Sequence, residues 1–387
     1  MSGRPLLNRR LDGLGTTIFA EMSALAVATG AINLGQGFPD TDGPEAIREA
    51  AVRALRDGRG NQYPPGMGVP ELRTAIVDHQ RRFYGLDFDP DTEVLVTAGA
   101  TEAIAAAMLA LLEPGDEVIA FEPFYDSYAA SIAMAGGVRV PLTLRAPDFR
   151  PDLDALRAAV TPRTRLLLLN SPHNPTGMVL TRDELTAIAE LAVERDLLVV
   201  TDEVYEHLVF DGEHIPLISL PGMSDRTVSI SSAGKTFSFT GWKVGWVTGS
   251  AELVAAVRTT KQFLTYVASG PFQYAVAEAL ALPGAYYDDF REDLREKRDL
   301  LAAGLRDAGF QVHAPQGTYF ITTDIAALAP DLDALTFCRA LPHQAGVVAV
   351  PNSVFHDHPS AGRTQVRFAF CKRKTVLAEA SERLRRL

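Results

Sequence analysis

The chain has 387 residues, of which 47% are hydrophobic and 22% charged, with a formal net charge of −11. That balance describes a soluble globular chain with ample material for a large core, in two or three domains or one long α/β unit. An acidic chain without a long lysine- or arginine-rich run excludes the basic footprint of a nucleic-acid or anionic-membrane binder.

The N-terminal stretch MSGRPLLNRRLDGLG lacks the apolar core of a signal peptide. The longest apolar runs, such as 103–112, are too short to span a bilayer. The two cysteines, Cys338 and Cys371, form no CxxC pair and read as reduced thiols. A cytoplasmic protein is the expectation.

In chain order, EVLVTAG (93–99) reads as a strand and ATEAIAAAMLALL (100–112) as a helix. EVIAFEP (117–123) is strand-like, and YDSYAASIAMAG (125–136) helix-like. RLLLLN (165–170) is a short, continuously apolar run. The helix 181–196 follows, with Thr181 as N-cap and Glu184 completing a capping box. LLVVTDE (197–203) is apolar until its last residues, and TVSISS (227–232) and VGWVTGS (244–250) are strand-like. Apolar runs without alternation, separated by helices, predict strands buried on both faces of a mainly parallel sheet. From about 285 the texture changes. A long charged amphipathic helix (291–310) precedes the short strands FQVHAP, GTYFITTD, GVVAVP and TQVRFAFC. The expected organisation is a large α/β domain over 41–285 and a smaller α+β domain formed by 1–40 with 286–387.

Ligands in open α/β sheets sit beyond the C-terminal strand ends, so the polar residues ending these runs become candidates: Asn170, Asp202 and Ser232. A carboxylate at Asp202, in a mid-sheet strand, needs a cationic partner, which an ordinary ion pair or a helix cap would also satisfy. Tyr205 follows and reaches the same region, though a tyrosine there often only packs. SPHNPTG (171–177) is a rigid loop that makes a turn or aims Asn174. Gly99, Ala100 and Thr101 open a helix directly after a strand, which suits a phosphate, although many such turns look alike. Arg367 in VRFAFCKR is a surface residue of an alternating strand or a bidentate carboxylate grip. SSAGKTFSFTGWKVGW (231–246) carries two lysines, Lys235 and Lys243, among small, hydroxyl and aromatic residues. His356-Asp357-His358 offers no third ligand nearby and reads as a solvated loop, so no metal site is expected.

Taken together and in order, Asn174, Asp202, Tyr205, Lys235, Lys243 and Arg367 resemble the pattern of a fold-type-I aminotransferase dependent on pyridoxal 5'-phosphate (PLP). The resemblance covers nearly the whole chain. It is to the glutamine/kynurenine aminotransferase branch, through NLGQGFPD (33–40), NQYPPGMG (61–68), EPFYDSY (122–128), SPHNPTG, TDEVYEHLVF (201–210), SAGKTFSFTGWKVGW and VRFAFCKR. Within that branch the chain resembles most the actinobacterial enzymes assigned as N-succinyldiaminopimelate aminotransferases of lysine biosynthesis.

The resemblance implies an amino group passed from an amino acid to a 2-oxo acid, with 2-oxoglutarate as acceptor. It implies that Lys235 attaches covalently to the cofactor aldehyde and, once freed, moves the substrate's α-proton. A lysine needs a lowered pKa for that work. Asp202 is implied to pair with the pyridine nitrogen, and Asn174 and Tyr205 to bond the ring's 3-oxygen. Tyr125, in preference to Phe124, is implied to stack on the ring. Ala100, Thr101, Ser232 and Lys243 are implied at the phosphate, together with Tyr63 from the neighbouring subunit of a homodimer with shared active sites. Arg367 is implied at the substrate α-carboxylate, with Gly37 and Asn174 lining the substrate side. Two positions depart from neighbouring families. Lys243 stands where aspartate-aminotransferase-like chains carry arginine. Thr101 stands where many kynurenine/glutamine enzymes carry an aromatic residue. The alternatives are kynurenine, glutamine or methionine transamination, β-elimination on cysteine S-conjugates, and a PLP-binding regulator, which a DNA-binding module absent from the sequence would have marked.

Overall fold

The computed structural model describes residues 6–387. The first five residues, which begin the 1–40 segment and the stretch read as lacking a signal peptide, lie outside the described residues. Seven strands form the central sheet, in the order Val94–Thr97, Gly245–Thr248, Thr227–Ser232, Leu198–Asp202, Thr164–Asn170, Glu117–Glu122, Val138–Thr143. Gly245–Thr248 runs antiparallel to both neighbours, and the other pairings are parallel.

The apolar runs are explained by the two-residue period of a strand covered on both sides. Leu166, Leu168 and Val200 face the helices Gly99–Leu111, Asp126–Ala135 and Ala251–Lys261. Leu167, Leu169 and Val199 face the helix Arg182–Glu194, where Leu185, Ile188 and Leu191 receive them. Each such side chain contributes about 1.5–3 kcal/mol by burial. The capping box forms as expected, with Thr181 accepting from the Glu184 N–H and Glu184 accepting from the Thr181 N–H at 2.8 Å.

A second, four-stranded antiparallel sheet has the order Val350–Pro351, Gln365–Ala369, Phe320–Asp324, Gln311–His313. The helices Gly284–Asp307, Ala334–Gln344 and Lys374–Leu384 share its core. The long helix starts seven residues earlier than the charged texture suggests, at Gly284 rather than 291. Its first turns carry Tyr287, which is buried, so the charged pattern begins only further along. Met22, Ala26 and Leu34 of the N-terminal segment lie in this second core, and Ile32–Asn33 pairs in parallel with Val347–Val348.

The 356–358 loop is solvated at Asp357 and His358, as the sequence suggests, while His356 is buried. Glu122, fully buried at the end of its strand, draws it in: the Asp357 N–H donates to Glu122 at 2.7 Å and the His358 Nδ1 lies 2.8 Å from it. Asp357 accepts from Arg139 through Nε at 2.8 Å and Nη2 at 2.7 Å. A buried carboxylate needs such partners, and the loop supplies them.

Candidate active site

The register sets the site. Asn170 lies opposite Asp202, and Ser232 opposite Gly245, in one row across the strand ends. A cavity of about 360 Å³ opens over this row. Of the residues singled out in the sequence, Gly37, Ala100, Thr101, Tyr125, Asn174, Asp202, Tyr205, Ser232, Lys235, Lys243 and Arg367 all line it. Phe124 does not. It is buried beneath the Arg139 guanidinium, 5.9 Å from its ring centroid. Tyr63 lies outside the cavity of its own chain, 81% exposed, edge-on to Tyr266.

Asp202 is 4% exposed, and among the described residues no cation forms an ion pair with it. Its Oδ2 accepts from the Tyr128 hydroxyl at 2.6 Å and its Oδ1 from the Val204 N–H at 3.3 Å. Burial raises its pKa, and these two hydrogen bonds oppose the rise. A buried carboxylate facing a cavity without a cation calls for a cationic group in that cavity.

Lys235 sits one turn past the strand end, in the short helix Ala233–Thr236. Its Nζ lies 5.8 and 5.7 Å from the ring centroids of Tyr205 and Tyr319. Burial pulls the amine below the usual lysine range; Cys371 and Asp202 resist, while Lys243 and Arg367 add to the fall. Lys243 takes a left-handed backbone, φ 54°, which turns its side chain onto Gly99. A Cβ on Gly99 would stand 3.1 Å from the Lys243 Nζ. The ammonium therefore faces the N-terminus of the helix Gly99–Leu111, where free N–H groups and the helix dipole favour an anion. Glu102 holds this turn, accepting from the Ala98 N–H at 2.6 Å and the Thr265 hydroxyl at 2.6 Å.

Arg367 is 1% exposed, so the commoner reading as a surface residue is corrected. Both faces of its sheet are covered, which leaves the strand Gln365–Ala369 buried throughout. One guanidinium arm donates to Asn174 Oδ1 at 2.9 Å and the other to the Gly35 carbonyl at 2.8 Å. The Phe320 ring lies 4.0 Å away, and the guanidinium Nε has no partner. Burial lowers its pKa to about 10, which leaves it charged at neutral pH. Asn174 is itself held by its backbone N–H donating to Asn170 Oδ1 at 2.7 Å. The Gly37 carbonyl accepts from the Tyr319 hydroxyl at 2.6 Å. A Cβ there would lie 2.4 Å from the Phe320 ring, so only glycine fits.

Sequence reasoning missed Tyr128, Glu102 and the clamping role of Asn170. Tyr128 stands three residues from Tyr125, which places both on one helical face; yet a tyrosine in an alanine-rich helix reads as packing. Away from the cavity, His79, Glu206 and His207 gather within 4.8 Å of one another. The two imidazoles direct their Nε2 atoms at each other, 2.7 Å apart, and Ser231 donates to Glu206 at 2.6 Å.

A doubly covered α/β sheet, a lysine of lowered basicity, a buried carboxylate without a cation and an anion cradle are the features that the resemblance to a fold-type-I PLP enzyme implies. The aminotransferase class I and II family model matches residues 29–384, and the chain belongs to that family. It is 56% identical, over 97% of both chains, to a probable N-succinyldiaminopimelate aminotransferase DapC of Mycobacterium tuberculosis. It is 41% identical, over 100% of both chains, to a methionine aminotransferase of Escherichia coli. The solved structure of the M. tuberculosis N-succinyldiaminopimelate aminotransferase superposes with a TM-score of 0.95, covering 98% of this chain and 99% of that one. The protein is a PLP-dependent aminotransferase.

The residues present fit that cofactor. The anion cradle suits its phosphate and the unpaired Asp202 its pyridinium. Gly245 packs so closely under the cradle that a Cβ there would lie 2.6 Å from the Gly99 carbonyl carbon and 2.8 Å from the Ala100 nitrogen. Gly245→Ala is expected to displace the cradle and weaken PLP binding about tenfold or more, as overpacking against backbone costs about 1–3 kcal/mol. Fluorescence titration of the apoenzyme with PLP reads this, and an unchanged Kd would remove the turn from the cofactor site.

Proposed function

We propose that the chain exchanges an amino group between N-succinyl-LL-diaminopimelate and 2-oxoglutarate, a step of lysine biosynthesis. The observation carrying this reading is the 56% identity, spread over 97% of both chains, to the probable DapC. PLP, when bound, supplies an aldehyde for the amino group and a ring that takes up the electron pair left at the α-carbon.

The chain's own residues then have distinct tasks in this reading. Lys235 would hold the cofactor and, as a neutral amine, would take and return the proton of the substrate α-carbon. Asp202 would hold the ring nitrogen in its protonated form. Asn174 and Tyr205 would hold the ring's 3-oxygen, and Tyr125 would face the ring. Ala100, Thr101, Ser232 and Lys243 would hold the phosphate. Arg367 turns its charge on the α-carboxylate, beside Gly37 and Asn174. Tyr63 reaches the phosphate of a second copy, in a homodimer. Its exposure supports this, as does the 50% exposure of Tyr266, whose ring it meets, since adjoining exposed aromatics mark interfaces. The division into 41–285 and 1–40 with 286–387, and a cytoplasmic location, belong to the same proposal. Among the described residues no helix is long and apolar enough to cross a membrane.

A second reading, transamination of methionine, glutamine or kynurenine with attendant β-elimination of cysteine S-conjugates, draws on one feature. Phe19, Phe38 and Phe320 line the cavity, and among the described residues no cation beyond Lys235, Lys243 and Arg367 does. A panel of amino donors with 2-oxoglutarate separates the readings. N-succinyl-LL-diaminopimelate is expected to give the highest kcat/KM, by about tenfold or more, the discrimination that one or two well-placed contacts provide. Methionine or kynurenine in first place would establish the second reading, and product formed without any 2-oxo acid would reveal the elimination.

A further inference from the structure

Asp202 has a partner that the family pattern does not name. Tyr128, in the helix Asp126–Ala135, is 3% exposed and donates its hydroxyl to Asp202 Oδ2 at 2.6 Å. The same helix is capped by Tyr125, whose ring stands 5.8 Å from the Tyr128 ring at 88°. One helix thus brings one tyrosine to the cavity and another to the carboxylate at its floor.

We propose that Tyr128 is a positioning residue, whose phenol holds the Asp202 carboxylate ionised and in one orientation. The proposal rests on Asp202 being the partner of the ring nitrogen. Burial by itself favours a neutral carboxyl, and a neutral carboxyl is a poor partner for a protonated ring. A short O–H···O⁻ bond favours the charged form and fixes one oxygen. Tyr128 suits the donor role because burial, with Asp202 alongside, holds its phenol protonated far above the ordinary range. The other titratable groups facing Asp202 are Lys235, Glu203, Tyr125 and Tyr205. Lys235 alone among them is a cation, and it forms no ion pair with Asp202. From the backbone side, Asn170 Nδ2 donates to the Asp202 carbonyl at 2.8 Å and fixes the strand end. A tyrosine that merely packed would not need its hydroxyl at hydrogen-bond distance from the one carboxylate in the cavity wall.

The test is Tyr128→Phe, which keeps the ring and removes the hydroxyl, made in wild-type and in Asp202→Asn backgrounds. In the apoenzyme, loss of the bond raises the folded-state pKa of Asp202 further above its unfolded value. The folded state then holds a proton that the unfolded state gives up, so the variant loses stability as pH rises through that window. The Tm gap between Tyr128→Phe and wild type is therefore expected to widen from pH 5 to pH 8. In the Asp202→Asn background it is expected not to change with pH. PLP titration should show Kd raised about tenfold by Tyr128→Phe, the scale of one hydrogen bond to a charged group. A gap that stays constant with pH, or one that persists unchanged in the Asp202→Asn background, would reduce Tyr128 to packing. The underlying reading fails separately, if Asp202→Asn alone leaves PLP affinity and turnover at wild-type levels.

Discussion

Lys235→Ala is expected to lower transamination by about 10⁴-fold or more, since it removes both the covalent anchor and the base. The fold should survive. Among the described residues Lys235 forms no ion pair, and truncating a buried, poorly solvated amine relieves a desolvation cost. Circular dichroism and Tm close to wild type, with no turnover in a coupled assay, are the expected pair of results. Wild-type turnover by purified Lys235→Ala would falsify the assignment. The same amine sets a pH dependence. Burial, with the charges of Lys243 and Arg367, places its ionisation below that of an ordinary lysine. Turnover limited by the neutral amine therefore rises with pH through a midpoint below the usual lysine range.

Arg367→Ala should act on binding. The guanidinium is buried, charged and without a carboxylate partner, while Asn174 and Gly35 take one arm each. Removing it leaves a substrate carboxylate unpaired in a desolvated site, which costs about 2–5 kcal/mol. KM is expected to rise about 10²–10³-fold for the amino donor and for 2-oxoglutarate alike, because both carry an α-carboxylate. Arg367→Lys should recover only part of this, since an ammonium lacks the fork that meets two acceptors and an anion together. A KM unmoved for both substrates would place the carboxylate elsewhere.

The sequence made the central sheet legible because strands covered on both faces cannot alternate. Residues 165–170 and 197–203 carry that signal without help from any partner. Pairings of two residues carry none. Ile32–Asn33 beside Val347–Val348 is a contact between distant segments, with nothing local to announce it. The same distinction runs through the site. Lys235, Asp202 and Arg367 stand in motifs whose residue types are costly to bury, so their presence in apolar runs is itself a signal. Tyr128, Glu102 and the 356–358 loop act through geometry: a hydroxyl aimed at one carboxylate, a carboxylate spanning a turn and a distant threonine, a loop drawn to Glu122. Their residue types are ordinary, and only the folded chain shows what they reach.

Arg367 ties together residues 332 and 193 positions away, at Gly35 and Asn174. A contact of that span is formed late, because the loop it closes must be ordered before the bond returns anything. The substrate grip proposed for Arg367 therefore comes into being only when the N-terminal segment, the large sheet and the C-terminal sheet have all docked. A partly folded chain in which that docking has failed would lack the Arg367 contacts to Gly35 and Asn174, whatever the state of its PLP cradle. Recognition of substrate thus doubles as a report that assembly of the chain is complete.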